Sequence, residues 1–117
     1  MNKEEFLLRT KRFGLRVIRL VAALPKNPVT MVLGNQLLRA GTSVGANYRA
    51  AARGKSRADF ISKMGTVEEE CDESLYWMEM AIESGFLKPS VAGALMKEGG
   101  EILSMVVASI KTARRNK

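Results

Sequence analysis

The apolar positions of this chain fall into four stretches, each with the repeat of a helix. Phe6, Phe13, Val17, Leu20 and Leu24 follow one another at steps of seven, four, three and four, which places them on one face of a first helix. That helix is predicted to stop at Leu24-Pro25-Lys26-Asn27-Pro28, where two prolines remove backbone donors and turn the residues before them away from helical geometry. A second helix carries Leu33, Leu37, Ala40, Val44 and Tyr48 and ends near Gly54-Lys55. Ser56 is a good N-cap for the third, and Asp59, three residues on, is placed to interact with the free amides of its first turn. The third helix has the clearest stripe, Phe60, Met64, Val67, Cys71, Leu75, Met78, Ile82 and Phe86, with Gly85 and Pro89 supplying its stop. A fourth begins around Pro89 to Val91 and carries Leu95, Ile102, Val106, Ile110 and Ala113. Gly99-Gly100 is its weak point, because glycine costs about 1 kcal/mol relative to alanine inside a helix, and a kink or short break is expected there.

Four helices joined by short turns, with no strand pattern, predict an all-α fold: an antiparallel up-down-up-down four-helix bundle, residues 1–117 forming a single domain. The alternative is a less regular helical domain broken at Gly99-Gly100. No internal repeat or low-complexity tract supports a solenoid or a two-domain reading.

Two of the helices carry more apolar surface than a lone bundle uses. At about 100° per residue, Leu8, Leu15, Ile18 and Ala22 lie roughly opposite the core stripe of the first helix. On the third, Tyr76 and Met80 point away from the stripe, among Glu69, Asp72, Glu73 and Glu83. Docking of the first helix of one copy on the third of another would set basic against acidic around an apolar centre. That contact joins two different surfaces, so it is heterologous and closes into a ring or runs into a filament; a ring is expected. The expected subunit contact therefore involves Leu8, Leu15, Ile18, Tyr76, Met80 and Glu73. On the second helix Gly34, Gly41 and Gly45 lower helix propensity, and close approach of a neighbouring helix is the natural compensation. Ser43 and Asn47, four apart, could satisfy each other or reach a carbonyl across the bundle.

Charge sharpens this picture. The net charge is +7, and it is unevenly spread: residues 1–57 hold twelve Lys/Arg against two Glu, and residues 58–87 hold eight Asp/Glu against Lys63 alone. The end is basic again, with Lys111, Arg114, Arg115 and Lys117. Such a surface points to a polyanionic partner, to docking between copies, or to both. Arg9, Arg12, Arg16 and Arg19 recur at steps of three, four and three along one strip of the first helix, and Arg49, Arg53, Lys55 and Arg57 cluster at the turn between the second and third. These eight are the candidate phosphate contacts, against the plainer reading of a solvated face partly consumed by subunit salt bridges. No groove-reading motif or aromatic platform indicates base-specific recognition.

Other chemistry is excluded more than it is suggested. The chain has no histidine, which removes the usual general base, the Ser-His-Asp and Cys-His arrangements and the Glu-x-x-His pairs of di-iron bundles. Cys71, the only cysteine, falls on the buried stripe, so no intrachain disulfide forms and an inert core role is expected. The carboxylates from Glu68 to Glu73 are spread around their helix and do not converge on a cation. No enzyme activity, catalytic residue, metal or cofactor is expected. The start of the chain lacks the apolar run of a signal peptide, and Lys or Arg interrupts nearly every apolar segment, so a cytoplasmic protein without membrane association is expected.

The stretch Gln36-Leu37-Leu38-Arg39-Ala40-Gly41-Thr42-Ser43-Val44-Gly45-Ala46-Asn47-Tyr48-Arg49, followed by Ser56-Arg57-Ala58-Asp59-Phe60 and by Glu70 to Trp77, resembles the small four-helix-bundle proteins encoded in intervening sequences of bacterial 23S ribosomal RNA genes. The same family includes the accessory variability determinants of diversity-generating retroelements. The resemblance implies a homopentameric barrel with a basic surface. In the retroelement branch it implies a non-enzymatic role, binding RNA and a reverse transcriptase. Two positions depart from the family pattern: Ala50 stands where glutamate often follows the Asn-Tyr-Arg run, and Glu68 stands where lysine is common. The expectation is thus a ring-forming RNA-binding adaptor; its rival is an assembly module whose charges serve only protein interfaces.

Overall fold

In the computed structural model, which describes residues 2–116, the chain forms four helices: α1 Lys3–Ala22, α2 Pro28–Ala52, α3 Arg57–Glu83 and α4 Pro89–Arg115. Local chemistry sets most of the boundaries. The Asn2 side chain caps α1 by accepting from the Glu5 amide. Asn27 caps α2, accepting from the amides of Val29 and Thr30, while the Thr30 hydroxyl accepts in return from the Asn27 amide. Pro28 follows at the first helical position, where its missing N–H leaves no gap in the ladder. Ser56 caps α3 by accepting from the Asp59 amide, and the Asp59 carboxylate reaches back to the amide of Lys55. Gly85, at φ +87°, ends α3 in the left-handed conformation, and the Phe86 amide donates to the Ala81 carbonyl five residues earlier.

Side-chain contacts give the pairing. Gly34 lies against Val21, Gly41 against Val17 and Gly45 against Thr10, and Phe6 meets Tyr48 edge-on at 4.6 Å, so α1 and α2 run antiparallel. Cys71 meets Gly99 midway along both helices, and the short connection 84–88 turns the chain back, so α3 and α4 do likewise. Contacts join α1 to α2, α2 to α3, α3 to α4 and, more thinly, α4 to α1, which is the outline of a square bundle with α1 and α3 on one diagonal. The molecule measures 49 × 22 × 21 Å. One end holds the α1–α2 and α3–α4 turns; the other holds the α2–α3 turn, the start of α1 and the end of α4.

The predicted stripes fill the core: Phe13, Val17, Leu37, Val44, Met64, Val67, Cys71, Met78, Ile102 and Val106 are fully buried. Thr10 and Ser74 are buried with them and spend their hydroxyls on carbonyls of their own helices. Phe60, Leu75 and Ile82 sit only partly buried at the edge of the core.

The glycines of α2 are explained by the seam with α1. A Cβ at Gly41 would lie 2.7 Å from both methyls of Val17. The expected break at Gly99-Gly100 is not there: α4 runs unbroken from Pro89 to Arg115. Gly99 is the point where α3 and α1 press on α4, since a Cβ there would meet Leu75 at 2.8 Å and the Phe13 ring at 3.2 Å, whereas Gly100 faces open space. Ser43 and Asn47 do not reach across the bundle; each donates to a carbonyl one turn back on α2, Ser43 to Arg39 and Asn47 to Ser43.

Candidate nucleic-acid interface

The antiparallel pairing decides where the cations collect. The α2–α3 turn brings Arg49, Arg53, Lys55 and Arg57 to one end of the bundle, all exposed. Because α4 returns antiparallel to α3, its last turn arrives beside the first turn of α3 and adds Lys111, Arg114 and Arg115 to the same end, also exposed. These three were visible only as a basic tail along the sequence; the even number of helices sets them next to the turn. Lys117 lies outside the described residues. Among the described residues none of these cations takes part in an ion pair. Their fields add at the surface, offset there by Asp59, which pairs with Lys63, and by Glu4 and Glu5 at the start of α1.

Along α1 the four arginines part company. Arg12, Arg16 and Arg19 are exposed and unpaired among the described residues. Arg9, closest to α4, is held: its Nε and Nη2 donate to the two carboxylate oxygens of Glu98, both at 2.7 Å, and Nη2 also reaches Glu101 at 2.8 Å. The bidentate hydrogen bond from Arg9 holds the Glu98 carboxyl below its ordinary range, against an opposing push from burial, and raises Arg9 further above its own. A phosphate would have to compete with two carboxylates for this guanidinium, so Arg9 belongs to the closure of the bundle rather than to a phosphate surface.

The acidic helix shows the same division. Arg39 of α2 pairs with Glu70 and Glu73, and Glu73 also accepts from the Trp77 indole at 3.0 Å. Glu73 thus ties α2 to α3 within one molecule. Glu69, Asp72, Glu79 and Glu83 form no ion pair among the described residues and lie exposed on the outer side of α3. Tyr76 and Met80 sit among them, 50% and 40% exposed. Leu8, Leu15 and Ile18 are exposed along the outer side of α1, as the spacing predicts.

Between α1 and α2 runs a groove of about 660 Å³. Leu8, Leu15 and Ile18 form one wall, Thr42 and Ala46 the other, and Gly14 and Gly45 let the backbones close its floor. Lys3, Lys11, Arg49 and Arg53 stand on its rim, and Glu4 is the one carboxylate in its lining. At the opposite end of the bundle Val29, Met31 and Val32 of α2 and Val91 of α4 are exposed, residues the sequence reading did not single out although they fall off the core stripes in the same way.

Cys71 is buried, donates to the Gly99 carbonyl at 3.3 Å, and burial pushes its thiol up to about 12. Among the described residues no cluster of three His, Cys, Asp or Glu could hold a metal ion, and no helix is long and apolar enough to cross a membrane.

Fold and surface together define an antiparallel helical bundle with a cationic end, a cationic flank and an acidic opposite helix. The chain belongs to the 23S rRNA-intervening sequence protein family, whose model matches residues 3–108. It is similar to a crystal structure from Bacteroides thetaiotaomicron, a protein of unknown function from the S23 ribosomal protein family. The two share 31% identity over 95% of this chain and 99% of that one, with a TM-score of 0.87. A comparison with curated proteins finds no match.

Proposed function

We propose that this chain is a non-catalytic adaptor that assembles into a pentameric ring and holds structured RNA by its phosphates. In a retroelement setting its protein partner would be a reverse transcriptase. The observation that carries the RNA reading is the gathering of unpaired cations from the α2–α3 turn and the end of α4 at one end of the bundle, continued up α1 by Arg12, Arg16 and Arg19. In a ring whose axis runs along the helices these ends lie side by side, and several copies present one continuous cationic rim to a phosphate backbone. The membership in a family named for ribosomal RNA intervening sequences supports the same direction. Recognition by phosphate contact makes affinity depend on salt and RNA shape more than on base sequence.

The test is sedimentation velocity of the protein with a structured RNA across a salt series, for wild type and for an Arg53→Ser/Lys55→Ser/Arg57→Ser variant. Wild type is expected to sediment near five chains and to carry RNA that is released as salt rises. Each lost phosphate contact lowers the slope of log affinity against log salt by about 0.7 to 0.9, so the variant's slope falls by roughly 2 to 3 with the ring intact. A ring that ignores RNA at every salt would refute the RNA reading and make the chain a protein scaffold.

A further inference from the structure

We infer that a groove between the end of α1 and the start of α4 is a binding site for a medium-chain fatty acid, its alkyl chain laid along Leu20 and Leu24 and its carboxylate held by Arg16 and Arg19. The inference stands apart from both the ring and the RNA readings.

The groove, of about 490 Å³, lies on the thin α1–α4 seam, away from the cationic end of the bundle. Lower down the seam is closed, where Arg9 bonds to Glu98 and Gly99 lies against Phe13. Because α4 runs antiparallel to α1, Leu95 then falls near Val17 and Val91 near Val21, and this part of the seam is open. Its lining includes the buried Leu20, Leu24, Leu87 and Leu95 and the less buried Phe86 and Val91. From Arg16 to Leu24 the helix rises about 12 Å, which sets the length of chain the groove takes. At the turn end Phe86 and Leu87 form the wall, and their amides both donate to the Ala81 carbonyl, at 3.0 and 3.1 Å. That wall is therefore in place before a ligand arrives, and little ordering cost falls on binding.

Charge gives the sign of the head group. Arg16, Arg19 and Lys88 line the groove, no Asp or Glu does, and none of the three is ion-paired among the described residues. Glu98 feels the field of Arg16, but both its carboxylate oxygens are taken by Arg9. Arg16 and Arg19 stand one turn apart on α1, so two guanidinium forks can meet one carboxylate.

The lining also selects against other anions. It holds no uncharged polar side chain, so the amides of a bound peptide or the edge of a nucleotide base would lose water without gaining partners. An alkyl chain carries no such groups, and a fatty acid confines its polar atoms to the one end where the arginines are.

The test is isothermal titration calorimetry of the full chain with decanoate below its micelle concentration, without RNA. One saturable decanoate per chain is expected. Each buried methylene contributes about fourfold in affinity, so octanoate should bind roughly 15-fold more weakly. Decanol, which lacks the charge, should bind at least about tenfold more weakly than decanoate. Arg16→Gln/Arg19→Gln is expected to bring decanoate down to the affinity of decanol and to leave decanol unchanged. Val91→Glu and, from the other wall, Ala23→Glu place a carboxylate at exposed positions of the groove and are expected to abolish decanoate binding. Circular dichroism checks that each variant is folded. Absence of binding at millimolar decanoate overturns the inference, as does uptake that never saturates. Equal affinity for decanoate and decanol overturns the role of the arginines, and folded glutamate variants that both bind as wild type overturn the groove as the site.

Discussion

Replacing Gly41 by alanine should weaken the protein although it improves the helix. An added Cβ would lie 2.7 Å from both methyls of Val17 and 3.0 Å from its Cβ. Ordinary carbon contacts are roughly 3.5–4.0 Å, so one side of the seam has to move by about 1 Å. Val17 cannot turn away: it is fully buried, and a β-branched side chain in a helix has essentially one χ1 setting. Overpacking of this kind costs roughly 1–3 kcal/mol, and three contacts at or below 3.0 Å argue for the upper end. The gain in helix propensity returns about 1 kcal/mol, leaving a net loss of about 2 kcal/mol. At about 4–8 °C per kcal/mol for a domain near this size, Tm falls by roughly 8–16 °C. Gly100→Ala is the control, because a Cβ there meets nothing within 4 Å and only the propensity gain remains. Its Tm should rise by about 4–8 °C. Both variants are measured by thermal and urea unfolding followed by circular dichroism, at one protomer concentration, since association itself stabilises by mass action. A Gly41→Ala protein as stable as wild type, with Gly100→Ala stabilised, would refute the claim that the α1–α2 seam is closed to a methyl group.

Three further outcomes follow from particular contacts. Glu98 has a folded pKa lowered first by its hydrogen bond from Arg9, so its contribution is present above the ordinary carboxylate range near 4.3 and is lost as pH falls through the lowered folded value. Glu98→Gln should therefore cost about 1 kcal/mol at neutral pH, with urea midpoints of variant and wild type converging in acid; a constant difference down to the lowest pH would count against the ion pair. Cys71, buried and with its thiol pushed up to about 12, should resist a disulfide reagent at pH 8 in the folded protein and react at once in denaturant; rapid labelling without denaturant would contradict its placement. Ser56→Ala removes the acceptor for the Asp59 amide at the start of α3 and should lower stability by about 1 kcal/mol in urea unfolding, with Ser56→Asp restoring most of it.

What was legible in the sequence was local. The stripe periods place the four helices, Ser56 caps α3 and Gly85 ends it, because each depends on residues a few positions apart. The Asn27-Pro28-Val29-Thr30 cap is equally local, although the two prolines signal a break more strongly than a cap. Gly99 misled for a different reason: its cost to the helix is intrinsic, while the reason for it, the approach of Phe13 and Leu75, comes from other helices. Arg9 looked like its neighbours along α1 because a step of three or four says nothing about Glu98, 89 residues away. The cationic end mixes the two cases, since the α2–α3 cluster is contiguous and the α4 cations join it only through antiparallel return.

The thin seam between α1 and α4 bears on how the bundle forms. Three of its four interfaces join helices adjacent in sequence, which brings them together early and at small loop-closure cost. The fourth must bring Arg9 to Glu98 and Met105 across nearly the whole chain, for a small area of contact. Such a closure belongs after the rate-limiting step, so Arg9 acts as a latch: loosening it should hasten unfolding and leave the folding rate nearly unchanged. A folding arm slowed in proportion to the stability lost would place the latch before the barrier instead.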